Sequence, residues 1–224
     1  GLFGTLPFQF PSSKAADTLL VGETSLVPQE NAHLIMILPD NCPDCTSVSR
    51  ILDAFTASGI SFATTEEKTA SEAQYLLDKY GISRLPAMLV FNSTTLTQIP
   101  SFEKRIDAFV LSDVPPPYVD RAGVVHGRVS VVRIDDPACT TCATTDTLIE
   151  QLTRGGVFIQ SDTRINASSV EGKQLLARYN LSKVPTIILS SDAREYTFLE
   201  TGWTTLGTIE PDGRMVMRSV LPPY

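Results

Sequence analysis

The sequence predicts an α/β protein made of two tandem copies of one domain, each a central mixed β-sheet flanked by helices. Three observations predict it. Four cysteines fall as two Cys-x-x-Cys pairs, Cys42 with Cys45 and Cys139 with Cys142. Each pair is followed by a matching phrase: Leu76, Leu77, Tyr80, Ser83 and Pro86 in one copy, Leu175, Leu176, Tyr179, Ser182 and Pro185 in the other. The first cysteine precedes the proline by 44 residues in one copy and by 46 in the other.

Each copy reads strand, Cys-x-x-Cys helix, strand, helix, proline, strand. Leu34 to Leu38 is a short apolar run that suits a buried strand, and Pro39-Asp40-Asn41 turns the chain before Cys42. From Thr46 the apolar residues Val48, Ile51, Leu52 and Phe55 recur at helical spacing, with Gly59 as the expected C′ residue. The second copy repeats the plan: a strand over Val129 to Ile134, a turn at Asp135-Asp136-Pro137, and a helix opening at Cys139 and ended by Gly155-Gly156. A strand at Ile60 to Ala63, or Val157 to Gln160, comes next. A helix over Ser71 to Tyr80, or Val170 to Tyr179, follows it. The strand after the proline is Ala87 to Phe91, or Thr186 to Leu189. Alternating strands and helices require crossovers. The last thirds read differently. Asp212-Gly213 signals a hairpin, whereas Phe102, Ile106, Phe109 and Val110 fall at helical spacing. Asp113 to Tyr118 is too Pro-rich for a helix or central strand and reads as a linker, so the expected domains are 1–117 and 118–224. Leu221-Pro222-Pro223-Tyr224 echoes that linker, and by analogy the chain is expected to continue beyond it.

A chain of 224 residues accommodates two domains of ordinary size, and its 42% hydrophobic content supplies a core for each. The net charge is −7 and no Lys/Arg run appears, which argues against a nucleic-acid partner. No apolar run approaches the ~20 residues that span a bilayer. Gly1 to Phe10 is apolar but lacks a basic lead, so it does not read as a signal peptide, and membrane attachment would need an anchor outside residues 1–224. Three of the five asparagines, Asn92, Asn166 and Asn180, begin Asn-x-Ser/Thr triplets. They favour an extracytoplasmic or membrane-anchored soluble region, with the cytoplasm as the alternative.

The cysteines carry the chemistry. A disulfide exchanges only when a thiolate attacks it, and a helix start favours the thiolate through its free N–H groups and dipole. Cys42 and Cys139 are therefore the expected nucleophiles, with Cys45 and Cys142 as resolving thiols one turn into the helix. Asp44 disfavours added negative charge beside the first pair, whereas Thr140 and Thr141 can donate hydrogen bonds beside the second. Cys139 is accordingly the nucleophile expected to be more acidic.

On these motifs both halves, roughly residues 32–111 and 128–217, resemble the thioredoxin superfamily. In tandem they resemble the prokaryotic protein disulfide oxidoreductases and the disulfide isomerases. The resemblance implies that Pro86 and Pro185 are cis and face the dithiols. It implies further that Leu85 and Val184 present their backbone to a bound substrate chain. Its partners would be protein or peptide thiols and disulfides plus a redox partner, with no metal or organic cofactor. The sequence departs from the family pattern in places. Asn41 and Ala138 stand where an aromatic is common, and Met36 and Arg133 lie near the position of the family's buried acid. The alternative function is a non-catalytic two-domain binding or scaffold protein with structural disulfides. A zinc site shared by the pairs is disfavoured by the long gap between Cys45 and Cys139. His33 and His126 read as solvated strand ends, Tyr80, Tyr179 and Trp203 as packing residues, and Glu66 and Glu67 as a solvated loop.

Overall fold

The computed structural model describes residues 31–57, 60–93, 96 and 101–219. Expectations for residues 1–10, Gly59 and 221–224 lie outside them. The chain divides into two compact units between His126 and Gly127. The division expected at 117/118 falls earlier because residues 118–126 pair with the first unit.

In the first unit β1 (His33–Leu38) leads to α1 (Val48–Ala57), β2 (Thr64–Thr69) and α2 (Gln74–Lys79). β3 (Arg84–Leu85), β4 (Ala87–Phe91), β5 (Glu103–Arg105) and β6 (Ala108–Leu111) follow. A last hairpin is formed by β7 (Tyr118–Asp120) and β8 (Val125–His126). The sheet order is β2-β1-β4-β6-β5, with β1 and β2 parallel and the other pairs antiparallel. The parallel pair needs a crossover, and α1 lies within it. Alternate residues of β1 point to opposite faces. Leu34 and Met36 join Val48, Phe55 and Phe109 on one side, while Ile35 and Ile37 join Leu76, Leu77 and Tyr80 on the other. A strand covered on both faces reads as a continuous apolar run, as β1 and β4 do.

The second unit repeats the order with β9 (Val129–Asp135), α3 (Asp146–Arg154), β10 (Ile159–Asn166), α4 (Val170–Arg178) and β11 (Thr186–Leu189). It then adds α5 (Thr197–Gly202) before β12 (Gly207–Ile209) and β13 (Met215–Met217). The sheet order β10-β9-β11-β13-β12 matches the first, position for position. Gly156, at φ +89°, follows the end of α3 in the left-handed region that glycine tolerates. Trp203 lies at 0% exposure in the core with Leu148, Leu152, Ile187 and Leu199. Both units are thioredoxin-like: a Cys-x-x-Cys after the first central strand, a parallel neighbour on one side of it, and a cis proline before the antiparallel strand on the other.

Three sequence expectations need correction. Residues 101–110 are not helical but form the β5–β6 hairpin. Ala108 and Val110 face one core while Phe109 and Leu111 face the other, a period of two that helical spacing had obscured. Ile106, set at helical spacing with Phe102, Phe109 and Val110 in the sequence, is 68% exposed at the turn with φ +54°. The strands expected at Ile60 to Ala63 and Val157 to Gln160 begin later, as β2 and β10. Both are edge strands with polar, largely exposed side chains, so no apolar pattern announces them. Glu66 and Glu67 accordingly lie in β2 and not in a loop.

The duplication extends through the hairpins. The Tyr80 hydroxyl donates to Asp107 at 2.6 Å and the Tyr179 hydroxyl to Asp212 at 2.8 Å. Lys79 lies 3.2 Å from Asp107, and Arg178 lies 3.0 Å from Asp212. Each copy thus ties the end of its second helix to the turn of a sheet hairpin, β5–β6 in the first unit and β12–β13 in the second. The hydrogen bond from Tyr80, with those from Lys79, holds the Asp107 carboxyl below its usual range.

Candidate functional site

The four cysteines form two disulfides, each inside its own motif, with Cα–Cα distances of 5.3 Å for Cys42–Cys45 and 5.5 Å for Cys139–Cys142. All four are half-buried. Their placement corrects the expectation that they occupy the first turn of a helix. Cys42–Cys45 is a turn, closed by the Cys45 N–H on the Cys42 carbonyl at 3.3 Å, and α1 starts only at Val48. In a continuous helix the Thr46 N–H would bond the Cys42 carbonyl. It donates instead to the Pro117 carbonyl at 2.9 Å, and the Thr46 hydroxyl donates to the Pro115 carbonyl. In the second unit Asp136 makes the turn. Its carbonyl accepts from the Cys139 N–H at 3.0 Å and its side chain from the Ala138 N–H at 3.0 Å. The helix α3 begins only at Asp146, whose N–H donates to the Thr144 hydroxyl at 3.2 Å.

Leu85–Pro86 and Val184–Pro185 are cis, as the resemblance implied, and so is Pro116–Pro117, which it did not. Pro86 and Pro185 are buried at the heads of β4 and β11. In the first unit Pro86 lines one open cleft with Cys42, Cys45, Met36, Leu38 and Glu67. Glu67 is the acid that sequence reasoning missed. It pairs in register with Met36, and a parallel edge strand brings it to the wall of the cleft that the sulfurs also line.

The corresponding register pair in the second unit is Arg133 with Arg164. Arg133 is buried, and its guanidinium donates to Asp162, at 2.7 Å through Nε, and to Asp146. Arg164 also reaches Asp146. These bonds raise the Arg133 pKa, Asp162 contributing most, so the group stays charged. Asp146 is held below the usual carboxylate range by the Thr144 hydroxyl and then by Arg133. Asp135 moves upward, because burial outweighs the attraction of Arg164 and Arg133. Beside the sulfurs themselves, the Thr141 hydroxyl lies 3.9 Å from Cys139 Sγ.

The strand edges beside the prolines differ. β3, ending at Leu85, pairs with β7: Arg84 opposite Asp120 and Leu85 opposite Val119. Leu85 is 3% exposed beneath this hairpin. Val184 is half-buried, and among the described residues neither Lys183 nor Val184 belongs to a strand. Sequence reasoning missed the Tyr118–His126 hairpin, although Asp120 and Gly123, between arms carrying Val119 and Val125, are a turn signal. Gly123 has φ +81°, and Asp120 accepts from the Ala122 and Val124 N–H groups at 2.9 Å each. The His126 ring, 2.9 Å from Asp120, and those two N–H groups hold the Asp120 carboxyl below its usual range.

No family model and no curated protein matches this sequence. Among solved structures the chain is similar to the N-terminal domain of the alkylhydroperoxide reductase AhpF from Enterococcus faecalis. That match has 11% identity and a TM-score of 0.24, over 72% of this chain and 82% of that one. It is also similar to a protein disulfide oxidoreductase from Aeropyrum pernix, at 16% identity and a TM-score of 0.21, over 71% and 76% of the two chains. The first two thioredoxin domains of Saccharomyces cerevisiae Eps1p match at 12% identity and a TM-score of 0.19, over 83% and 88%.

Proposed function

We propose that the chain is a thiol–disulfide oxidoreductase acting on protein or peptide disulfides through its two Cys-x-x-Cys sites. The observation that carries this reading is the cleft of the first unit, where both sulfurs of a disulfide and the buried Pro86 line one opening accessible to a small group. The second unit repeats the motif, the proline and the half-buried disulfide on the same strand order.

In the reduced protein the Cys42 or Cys139 thiolate attacks one sulfur of a substrate disulfide. That S–S bond breaks, a mixed disulfide forms, and the other substrate sulfur leaves as a thiolate and takes up a proton. Cys45 or Cys142 then loses its proton and attacks the protein sulfur of the mixed disulfide. This expels the second substrate thiolate and closes the protein disulfide. Two electrons pass from protein to substrate. Run backward, the same steps oxidise a substrate dithiol, and the redox partner sets the direction. The backbone beside the proline is the reading's docking element for an extended chain, at Leu85 and Val184; at Leu85 a substrate strand would compete with the chain's own Val119, which pairs there.

The test is trapping. With Cys45→Ser and Cys142→Ser the mixed disulfide is not resolved, and covalent adducts of Cys42 or Cys139 with polypeptide thiols accumulate and are released by reductant. The unmodified disulfides titrate in the range of exchanging pairs. Potentials below roughly −300 mV with no adduct would reject the reading in favour of structural disulfides in a binding or scaffold protein.

A further inference from the structure

The first sulfur cleft carries one sign of charge. Its volume of about 380 Å³ lies in the range of ligand clefts. Met36, Leu38, Val48 and Leu52 give it apolar walls beside Cys42, Cys45 and Pro86. The hydroxyls of Thr46, Ser47 and Ser49 belong to cleft residues too, and each already has a partner. Those of Ser47 and Ser49 lie 2.6 Å apart, and that of Thr46 donates to the Pro115 carbonyl. Among the described residues that line the cleft, Glu67 alone is charged.

The fold explains why this carboxylate stands there uncompensated. Successive residues of a strand point to opposite faces. Met36 lies on the α1 side of the sheet with Val48, and its parallel partner Glu67 faces the same way. Glu66 and Lys68 take the other face, where they meet at 2.5 Å. The next cation along β2 is thereby engaged, and among the described residues Glu67 has no ion-pair partner. A thiolate that attacks the Cys42–Cys45 disulfide brings negative charge into this cleft. The charge stays, first spread over the attacking, central and leaving sulfurs and then on the departing cysteine. A carboxylate lining the same cleft opposes it, and apolar walls weaken the screening by water. A cation next to the incoming sulfur offsets both negative groups.

We propose that Glu67 selects substrates at the first site by charge, favouring polypeptide cysteines flanked by lysine or arginine over those flanked by acidic residues. The inference rests on the proposed function and names the substrate class of one of its sites. Its balance is that of disulfide exchange. A peptide thiolate attacks the Cys42 sulfur, the protein S–S bond breaks, and Cys45 leaves as a thiolate and takes up a proton. A second peptide thiolate attacks the peptide sulfur of the mixed disulfide, and Cys42 leaves and is protonated in turn. The peptides lose two electrons and end as their own disulfide, and the protein gains them as a dithiol.

The experiment uses the full chain with Cys139→Ser and Cys142→Ser, which keeps the first disulfide alone. It is reduced by two unstructured peptides of one design, each with a single cysteine, flanked by lysines in one and by glutamates in the other. Each rate is divided by that of the same peptide with the neutral hydroxyethyl disulfide, which removes the effect of the flanking charge on the peptide's own thiol. The lysine-to-glutamate ratio is expected to be ~5-fold or more. Glu67→Gln keeps the shape, removes the charge, and should cut that ratio by about threefold. Any change it makes in the acidity of the protein's cysteines is common to both peptides and cancels. Glu66→Gln makes the same change in net charge one residue away on the opposite face, and should leave the ratio within about 1.5-fold. Both glutamates are exposed on an edge strand, so neither change opens the core. A ratio that Glu67→Gln does not move would overturn the proposal. So would an equal fall with Glu66→Gln, which would assign the preference to the charge of the whole protein. A first disulfide that neither peptide nor dithiothreitol reduces would remove the proposed function at this site and the inference together, whereas exchange with an unmoved ratio would remove the inference alone.

Discussion

The two units share a skeleton and differ in what surrounds it. Strand order, the cis proline and the tyrosine–aspartate tie recur in both. Around the sulfurs the likeness stops. The first cleft sets Met36 and Glu67 where the second unit has Arg133 and Arg164, and a hairpin covers Leu85 where Val184 stands half-buried. The recurring features are those that a layered sheet with one crossover needs in order to close its core. The divergent ones sit on the rim and on edge strands, where a change costs little packing. A duplicated fold can therefore keep its stability while the surroundings of its two reactive centres diverge.

The largest test of this comparison concerns the cores. Trp203→Ala empties a large site filled at 0% exposure in the second unit. It should cost that unit ~3–5 kcal/mol. Amide protection should fall in β9, β11 and β13 while β1, β4 and β6 keep theirs. Parallel loss in both units would mean that they unfold as one.

A subtler test concerns the sulfurs. The guanidinium charges near the second site are matched by Asp146 and Asp162. The contrast in acidity then comes from Glu67 and Asp44 at the first site against the threonine hydroxyls at the second. In reduced single-site variants, thiolate absorbance followed against pH should show Cys139 as the more acidic nucleophile. Glu67→Gln should lower the Cys42 pKa and leave Cys139 unchanged, because a carboxylate beside a thiolate disfavours its charge. A Cys42 more acidic than Cys139 would reverse the comparison.

The smallest expected effects lie in the β5–β6 and β12–β13 hairpins. Ile106 is β-branched at φ +54°, a strained combination, while the second hairpin has Gly213 at φ +81°. Ile106→Gly should stabilise the first unit by up to about 1 kcal/mol. Gly213→Ala should destabilise the second by about 1 kcal/mol, since an added Cβ would also come within 3.1 Å of Ser191. Denaturant midpoints for each unit check both signs.

Much of this was legible in the sequence, for identifiable reasons. The buried strands β1, β4, β9 and β11 announce themselves as apolar runs, and paired spacings pick out Pro86 and Pro185. β2 does not, because Thr64–Thr69 carries side chains that face water on an edge. The β5–β6 hairpin reads as a helix because Phe102, Phe109 and Val110 satisfy both periods. Asp107, which answers Asp212 in the other copy, is the clue that the two last thirds match. The hairpin on Leu85 is built from strands of two and three residues. Segments that short leave no periodic trace, and their partner lies far along the chain. The delayed start of α1 has a similar origin: a long-range bond from Thr46 to Pro117 outcompetes the local one.

Trp203 is the single tryptophan of the chain, sealed in the second unit. Its ultraviolet emission should be blue-shifted in the native protein and should move red only when that unit opens to solvent. A loss of ellipticity that leaves the fluorescence colour unchanged would then belong to the first unit alone, with no label attached to either half.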